Sequence, residues 1–363
     1  MSDYSKINRK QGGANGCNTR GGDWDDIGRW TDQYNCFQRG PRGHGDGRVY
    51  HSGRPPGYRS LHPQQAPHGR NAVNSERTVL FVHGATYPAE AAFDLDLALD
   101  GFSWMDFIAR RGFNVYLVDV RGYGRSTRPP EMDEPADRNP PIVGTETAIR
   151  DVASEIDFVL SRRSLPRLTL MGWSWGTVIM ASYTAQNATK VERLVLYGPV
   201  WIRQTPATQA TAPLGAYRTL TPEDALKRWL TGVPDNKKEE LIPPGWFDHW
   251  TEATFATDPV GYRASPPVLR APNGVVQDGR NYWSAGKPMY DPSQITVPVL
   301  LIRADWDQDT PAYMAQTLFP LLVNAPYKRS VTIGEGTHFV FWEKSRRQLF
   351  DEVQLFLEEP GSR

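Results

Sequence analysis

The sequence predicts an α/β protein: a mostly parallel sheet with helices on both faces and an inserted, mainly helical segment. Three observations predict it. Short apolar runs rich in Val, Leu and Ile recur from Arg77 onward. Segments with helical apolar periodicity separate them, and strands alternating with helices give a parallel sheet covered on both sides. One long stretch, from Trp201 to Ser293, breaks this rhythm with tryptophans and prolines.

Each element follows from its local pattern. Thr78 to Val82 reads as a buried strand that ends at His83-Gly84. Phe93 to Arg111 reads as one helix, closed by Gly112. Phe113 to Asp119 is the next strand. Thr145 to Arg163 is amphipathic, with Ile149, Val152, Ile156, Val159 and Leu160 on one face. Arg167 to Met171 is a strand, Trp175 to Ala188 a helix, and Arg193 to Tyr197 a strand. Val297 to Arg303 and Tyr327 to Ile333 complete the sheet, and Glu343 to Glu358 is the closing helix. The stretch 201–293 is too long for a bare loop. It is expected to form a cap inserted into a core made of residues 76–200 and 294–363.

Residues 1–75 differ in kind. They hold 13 of the 32 glycines and 4 of the 7 histidines, with only six Val, Ile, Leu or Met residues. Such a segment cannot bury enough apolar surface to offset its ordering entropy, so it is expected to be disordered or loosely attached. Cys17 and Cys36 lie within it, and their spacing matches no metal motif or disulfide framework.

Composition narrows the function. The 363 residues carry 41 basic and 41 acidic side chains. This balance points to neither a nucleic-acid partner nor an anionic membrane surface. No apolar run approaches the roughly 20 residues of a membrane-spanning helix. Met1 to Lys6 leads into no apolar signal region, so a soluble, cytoplasmic protein is expected. The glycine-rich run Arg121-Gly122-Tyr123-Gly124-Arg125-Ser126 lacks the lysine and helix of a phosphate cradle. No cofactor or metal is expected, and the expected partner is a small-molecule substrate.

The chemistry centres on Gly172-Trp173-Ser174-Trp175-Gly176. A buried strand precedes this G-x-S-x-G and a helix follows at once, the setting of a nucleophile elbow. Side chains at the flanking glycines would clash in so sharp a turn. The turn lifts the Ser174 hydroxyl to a helix N-terminus, where the Trp175 N–H can stabilise an oxyanion. A serine needs a base. Outside the N-terminal segment the histidines are His83, His249 and His338. His338 follows the last predicted strand, at the carboxyl edge where catalytic groups gather. The run Arg303 to Pro311 offers Asp305, Asp307 and Asp309 as the acid that orients it. Asp309 or Thr310 can cap the helix that Pro311 opens, and Asp305 stays close to the strand, so Asp307 is the choice. The second oxyanion donor is Ala85 or Thr86, with Ala85 preferred. Thr86, Trp173, Trp201, His249 and Trp250 are expected to line the substrate pocket.

With these residues in view, residues 77–357 resemble an α/β-hydrolase with a cap. The resemblance rests on Phe81-Val82-His83-Gly84, on Asp119 to Ser126, on the elbow, and on the Asp307 and His338 segments. It implies a serine hydrolase acting through an acyl-enzyme. Epoxide hydrolases and haloalkane dehalogenases in this family carry aspartate at the elbow, so Ser174 argues against both. Family members begin with two or three antiparallel strands. Here the sheet is truncated, or weak strands such as Arg48-Val49-Tyr50 serve, or the N-terminal sequence is foreign to the fold. Ser174-Trp175-Gly176 is also similar to prolyl iminopeptidases, although His83-Gly84-Ala85-Thr86-Tyr87 departs from their oxyanion loop.

Three functions compete. The first is hydrolysis of a hydrophobic or aromatic carboxylic ester, suggested by the aromatic insertion. The second is a prolyl-type aminopeptidase or amide hydrolase, which needs acidic groups such as Glu223, Asp224, Glu239, Glu240 or Asp248 facing a substrate ammonium. The third is a ligand-binding protein without catalysis, which the complete Ser, Asp and His set disfavours.

The poverty of residues 1–75 in core-forming pattern generates a test. Limited proteolysis should leave a compact, active fragment that begins near Val73. Unfolding of that fragment would show that the segment supplies essential strands.

Overall fold

The computed structural model describes residues 49–53, 58–62, 64–65, 74–95, 103–204 and 213–359. Cys17, Cys36 and most of the glycine-rich segment lie outside them. Two strands, β1 (Val49–Gly53) and β2 (Tyr58–His62), pair antiparallel with each other. The main sheet takes β3 (Gln64–Gln65), β4 (Thr78–Val82), β5 (Asn114–Val118), β6 (Leu168–Trp173), β7 (Val191–Tyr197), β10 (Val299–Ala304) and β11 (Lys328–Ile333). The remaining strands, β8 (Tyr217–Leu220) and β9 (Leu269–Pro272), form an antiparallel pair inside the insertion. The main sheet runs in the order β11-β10-β7-β6-β4-β5-β3. All neighbours in it are parallel except β3, whose two residues pair antiparallel with β5 at the edge.

The parallel order explains the apolar runs. Every residue of β4, β5, β6 and β7 is buried. Alternate side chains point to opposite faces of a strand. Val79 and Phe81 therefore join one core with Trp104, Phe341 and Phe350. Leu80 and Val82 join the other with Val152, Ile156 and Val178.

Helices cover both cores. The predicted helix over Phe93 to Arg111 does not form as one element. Two short helices stand there instead, α1 (Ala89–Phe93) and α2 (Trp104–Ala109), and residues 96–102 between them lie outside the described residues. Ser103 is the reason α2 starts afresh. Its hydroxyl accepts the Asp106 N–H at 2.9 Å as an N-cap, and donates to Asp94 at 2.9 Å. Next come α3 (Thr145–Arg163), with the predicted bounds, and α4 (Trp175–Asn187).

The insertion leaves the sheet after β7. It contains α5 (Pro222–Trp229), α6 (Lys238–Leu241), α7 (Trp246–Phe255), α8 (Pro259–Tyr262) and α9 (Gly274–Asp278), the last continued by a π-helical turn over Gly279–Trp283. A capping box between Thr221 and Asp224 starts α5. The buried Asp258 carboxylate receives Arg270 at 2.7 Å and Arg128 at 3.7 Å. That cluster joins β9 to the chain beyond β5. The fold closes with α10 (Ala312–Leu318) and α11 (Arg346–Glu358). No described helix is long and apolar enough to cross a membrane.

Candidate active site

Between β6 and α4 stands one residue, Ser174. Its backbone is at φ 55° and ψ −121°, a region that L side chains rarely occupy. Its two flanking glycines let the chain turn so tightly. A Cβ on Gly172 would sit 2.2 Å from the Gly176 carbonyl oxygen. A Cβ on Gly176 would sit 2.6 Å from the Val82 carbonyl oxygen. Ser174 holds the N-cap place of α4, yet its side chain makes no capping hydrogen bond. The backbone secures the turn instead: the Ser174 N–H donates to the Tyr197 carbonyl at 2.9 Å, and its own carbonyl accepts the Thr177 N–H at 2.8 Å.

The ends of β10 and β11 bring Asp307 and His338 to the same sheet edge. Asp307 Oδ2 lies 2.7 Å from His338 Nδ1, with both side chains buried. Thr310 steadies the carboxylate, its N–H donating to Oδ1 at 2.8 Å and its hydroxyl to Oδ2 at 2.6 Å. The three aspartates are thereby sorted. Asp305 accepts the Gly336 N–H at 3.2 Å, and Asp309 pairs with Arg228 at 3.0 Å. The imidazole Nε2 is buried and has no hydrogen-bond partner among the described residues. The His338 carbonyl accepts the Trp173 indole N–H at 3.1 Å and the Tyr197 hydroxyl at 2.9 Å. The residue before Ser174 thus holds the loop that carries His338. Gly198 leaves room for the ring, since a Cβ there would meet His338 Cε1 at 2.9 Å.

The loop after β4 abuts Ser174. A Cβ on Gly84 would lie 3.0 Å from the Ser174 Cβ. His83 holds this loop in place. Its Nε2 accepts the Val120 N–H at 3.0 Å, so Nδ1 carries the proton and donates to the Gly84 carbonyl at 2.6 Å. Burial lowers the His83 pKa to about 4, which keeps the ring neutral. The Ala85 carbonyl accepts the Tyr123 hydroxyl at 2.9 Å and a second bond from Arg218. As the first residue of α4, Trp175 has a backbone N–H with no partner inside the helix.

The other expected pocket residues are placed differently from one another. Thr86 is buried beside Ala85 and accepts Arg218 and Arg228, each at 3.0 Å. Trp173 turns into the core, with its indole on the His338 carbonyl. Trp201 packs on Tyr290, ring centroids 5.2 Å apart. Trp250 is enclosed by Tyr87, Trp229 and Trp342 at 4.9, 5.4 and 4.9 Å. Successive helical residues point about 100° apart, so turning Trp250 inward leaves His249 on the exposed face of α7.

Three residues at the site escaped sequence reasoning. Arg218 and Arg228 reach the loop after β4 from the insertion. Glu343 accepts the Trp229 indole N–H at 2.9 Å and the Thr337 N–H at 3.0 Å, beside His338. Burial raises its pKa to about 7. Arg228 alone left a trace, because it lies three residues from Ala225 and next to Trp229, on the apolar side of an amphipathic helix.

Residues 77–345 match the model of the alpha/beta hydrolase fold family. The chain belongs to the α/β-hydrolase fold family. It is 24% identical over 264 residues to Protein ABHD8 of Bos taurus, covering 71% of this chain and 53% of that protein. The Homo sapiens ABHD8 protein gives 24% over 264 residues, with 71% and 52% covered. The chain thus spans about half the length of these curated relatives. A thermophilic esterase from Thermogutta terrifontis has the same fold, with a TM-score of 0.56 at 14% identity over 86% of this chain and 98% of that one. Serine hydrolase CCSP0084 from the polyaromatic hydrocarbon-degrading bacterium Cycloclasticus zankles gives 0.55 at 14% identity, with 86% and 98% covered. Against this α/β-hydrolase fold, the G-x-S-x-G turn, the Asp307–His338 pair and the loop after β4 occupy one edge of the sheet.

The contacts at Gly172 make it the most sensitive position of the turn. Gly172→Ala should lower stability by about 1–3 kcal/mol through overpacking, read as a shifted denaturant midpoint. An unchanged midpoint would show that the turn tolerates a wider approach.

Proposed function

We propose that this protein is a serine hydrolase that cleaves a carboxylic ester through an acyl-enzyme. The observation that carries the proposal is the buried Asp307–His338 hydrogen bond of 2.7 Å at the sheet edge where Ser174 stands uncapped. Asp307 accepts a hydrogen bond from Nδ1–H, which keeps the proton on Nδ1 and leaves Nε2 as the base. His338 Nε2 takes the Ser174 proton as the hydroxyl oxygen attacks the ester carbonyl. The Trp175 and Ala85 N–H groups receive the oxyanion. Collapse of the tetrahedral species breaks the bond to the alkoxy oxygen, and His338 returns the proton to the departing alcohol. Water then attacks the acyl-serine by the same route, releasing the acid and restoring the hydroxyl.

The insertion is the cap of this site. Its arginines reach the loop after β4, and Trp229 holds Glu343 behind His338. Its tryptophans give little support to a preference for apolar groups, because Trp229 and Trp250 are each only 1% exposed and pack on one another. The aminopeptidase reading loses support for a related reason. Glu223, Asp224, Glu239, Glu240 and Asp248 are all exposed, whereas the cap side chains on Thr86 are cations. A substrate ammonium would meet like charge there.

Two variants test the mechanism. Ser174→Ala should abolish labelling by a neutral fluorophosphonate and lower p-nitrophenyl butyrate turnover on the order of 10⁴-fold or more, with an unchanged circular dichroism spectrum. Retention of more than a few per cent of wild-type turnover would remove Ser174 as nucleophile. Asp307→Asn should impair turnover far more than Asp305→Asn, since an amide neither holds the imidazole tautomer nor stabilises the imidazolium. Equal losses would reject the assignment of Asp307.

A further inference from the structure

Two arginines of the insertion meet at one hydroxyl next to the candidate site. Thr86 Oγ1 accepts Arg218 Nη2 and Arg228 Nη1, each at 3.0 Å. Two guanidinium groups so close repel each other, and the Asp309 carboxylate pairs with one of them. Burial alone would raise the Asp309 pKa. Arg228 and His338 outweigh it and hold the carboxyl below its usual range, so Asp309 is ionised. Its salt bridge goes to Arg228 Nε at 3.0 Å. Arg218 has no carboxylate partner among the described residues, and its bonds go to the Ala85, Ala271 and Pro272 carbonyls, to Asn273 Oδ1 and to Thr86. With Asp307 also acting on Arg228 and Arg203 acting on Asp309, three cations and two anions leave this corner with an excess positive charge.

The donors here also outnumber the acceptors. Arg228 bonds through Nε to Asp309 and through Nη1 to Thr86, and its guanidinium also lies against the Tyr87 side chain. Thr86 Oγ1 accepts two bonds, so its own proton is available to an acceptor. The Tyr87 hydroxyl, on a ring whose centroid is 5.9 Å from the Arg228 guanidinium carbon, is buried without a hydrogen bond. A half-buried cluster of donors with surplus positive charge is matched by a group that only accepts and is negatively charged. A planar guanidinium suits a carboxylate in particular.

The cluster is anchored to both sides of the site. Thr86 lies two residues beyond Gly84, which abuts Ser174, and Asp309 lies two residues beyond Asp307. We propose that Arg228, with Thr86, forms an anion subsite that selects esters whose acyl chain ends in a free carboxylate. Arg218 supplies background charge and holds the Ala85 carbonyl, and Asp309 limits the positive excess. This inference rests on the serine-hydrolase reading, of which it names the substrate class.

The test compares p-nitrophenyl hemiglutarate, which carries the carboxylate, with p-nitrophenyl butyrate, which lacks it. The wild-type enzyme should prefer the hemiglutarate in kcat/KM, and glutarate should inhibit butyrate turnover competitively, less so as salt rises. Arg228→Gln should lower the hemiglutarate-to-butyrate ratio at least about tenfold, chiefly through KM, and weaken glutarate inhibition alike. Asp309→Asn should move the ratio the opposite way, an outcome that loss of packing would not produce. If Arg228→Gln does not fold, the wild-type preference and glutarate inhibition still decide. Labelling of Ser174 by a neutral fluorophosphonate without preference for hemiglutarate and without glutarate inhibition would overturn the subsite and leave the hydrolase reading intact. Absence of labelling, with glutarate still raising the melting temperature, would overturn the hydrolase reading and retain the anion subsite. A ratio unchanged in both variants would also overturn the subsite.

Discussion

The site depends on a close approach of backbone to backbone where β6 turns into α4. The Gly172 Cα faces the Gly176 carbonyl, and Gly176 faces the Val82 carbonyl, at separations that leave no space for a side chain. That contact forces Ser174 to φ 55°. A residue held in such a conformation stores on the order of 1–3 kcal/mol, so the surroundings must over-determine it. Here they do: β6 is buried along its whole length between β4 and β7, and Tyr197 and Thr177 fix the peptide groups on either side of Ser174. The strain is local, while the burial that sustains it spans both cores.

The same logic places the histidine. His338 sits on a loop, and loops are held by few backbone bonds. Its carbonyl is tied to the side chains of Trp173 and Tyr197, both from strands that flank the serine turn. Glu343 then links Thr337 to Trp229 in the insertion. Burying a carboxyl is costly unless it is well hydrogen-bonded. Glu343 receives three donors, and its pKa still rises to about 7. The insertion and the histidine loop therefore share a buried polar contact, and a movement of α5 would be felt at Thr337, next to His338.

The charges of the insertion follow a different rule from its tryptophans. Trp229 and Trp250 pack with Phe339 and Trp342 and seal the space behind the loop after β4. The Arg228 guanidinium lies over the Tyr87 and Phe339 rings and, like that of Arg218, reaches the Thr86 hydroxyl. Aromatic content suggested an apolar pocket. Rings that pack on one another present little surface to a ligand.

Much of the fold was legible in the sequence, because a strand buried on both faces must be apolar throughout and an amphipathic helix must show its period. The bounds of α3 were readable to the residue, and the six parallel strands to within two. The serine turn was legible because only glycine fits two residues to either side of Ser174, and His338 was singled out because few histidines follow the elbow. The failure at Phe93 to Arg111 has a local cause: a serine N-cap in mid-run restarts a helix whose apolar pattern continues without a break. What only the tertiary structure decided was pairing across distance. The sequence preferred Asp307, but which carboxylate meets His338, which meets Gly336 and which meets Arg228 was set by packing. The charge beside Thr86 came from residues more than 130 positions away. A sequence pattern records the period and polarity of each element, whereas the direction of a guanidinium depends on the packing of elements that no local pattern relates.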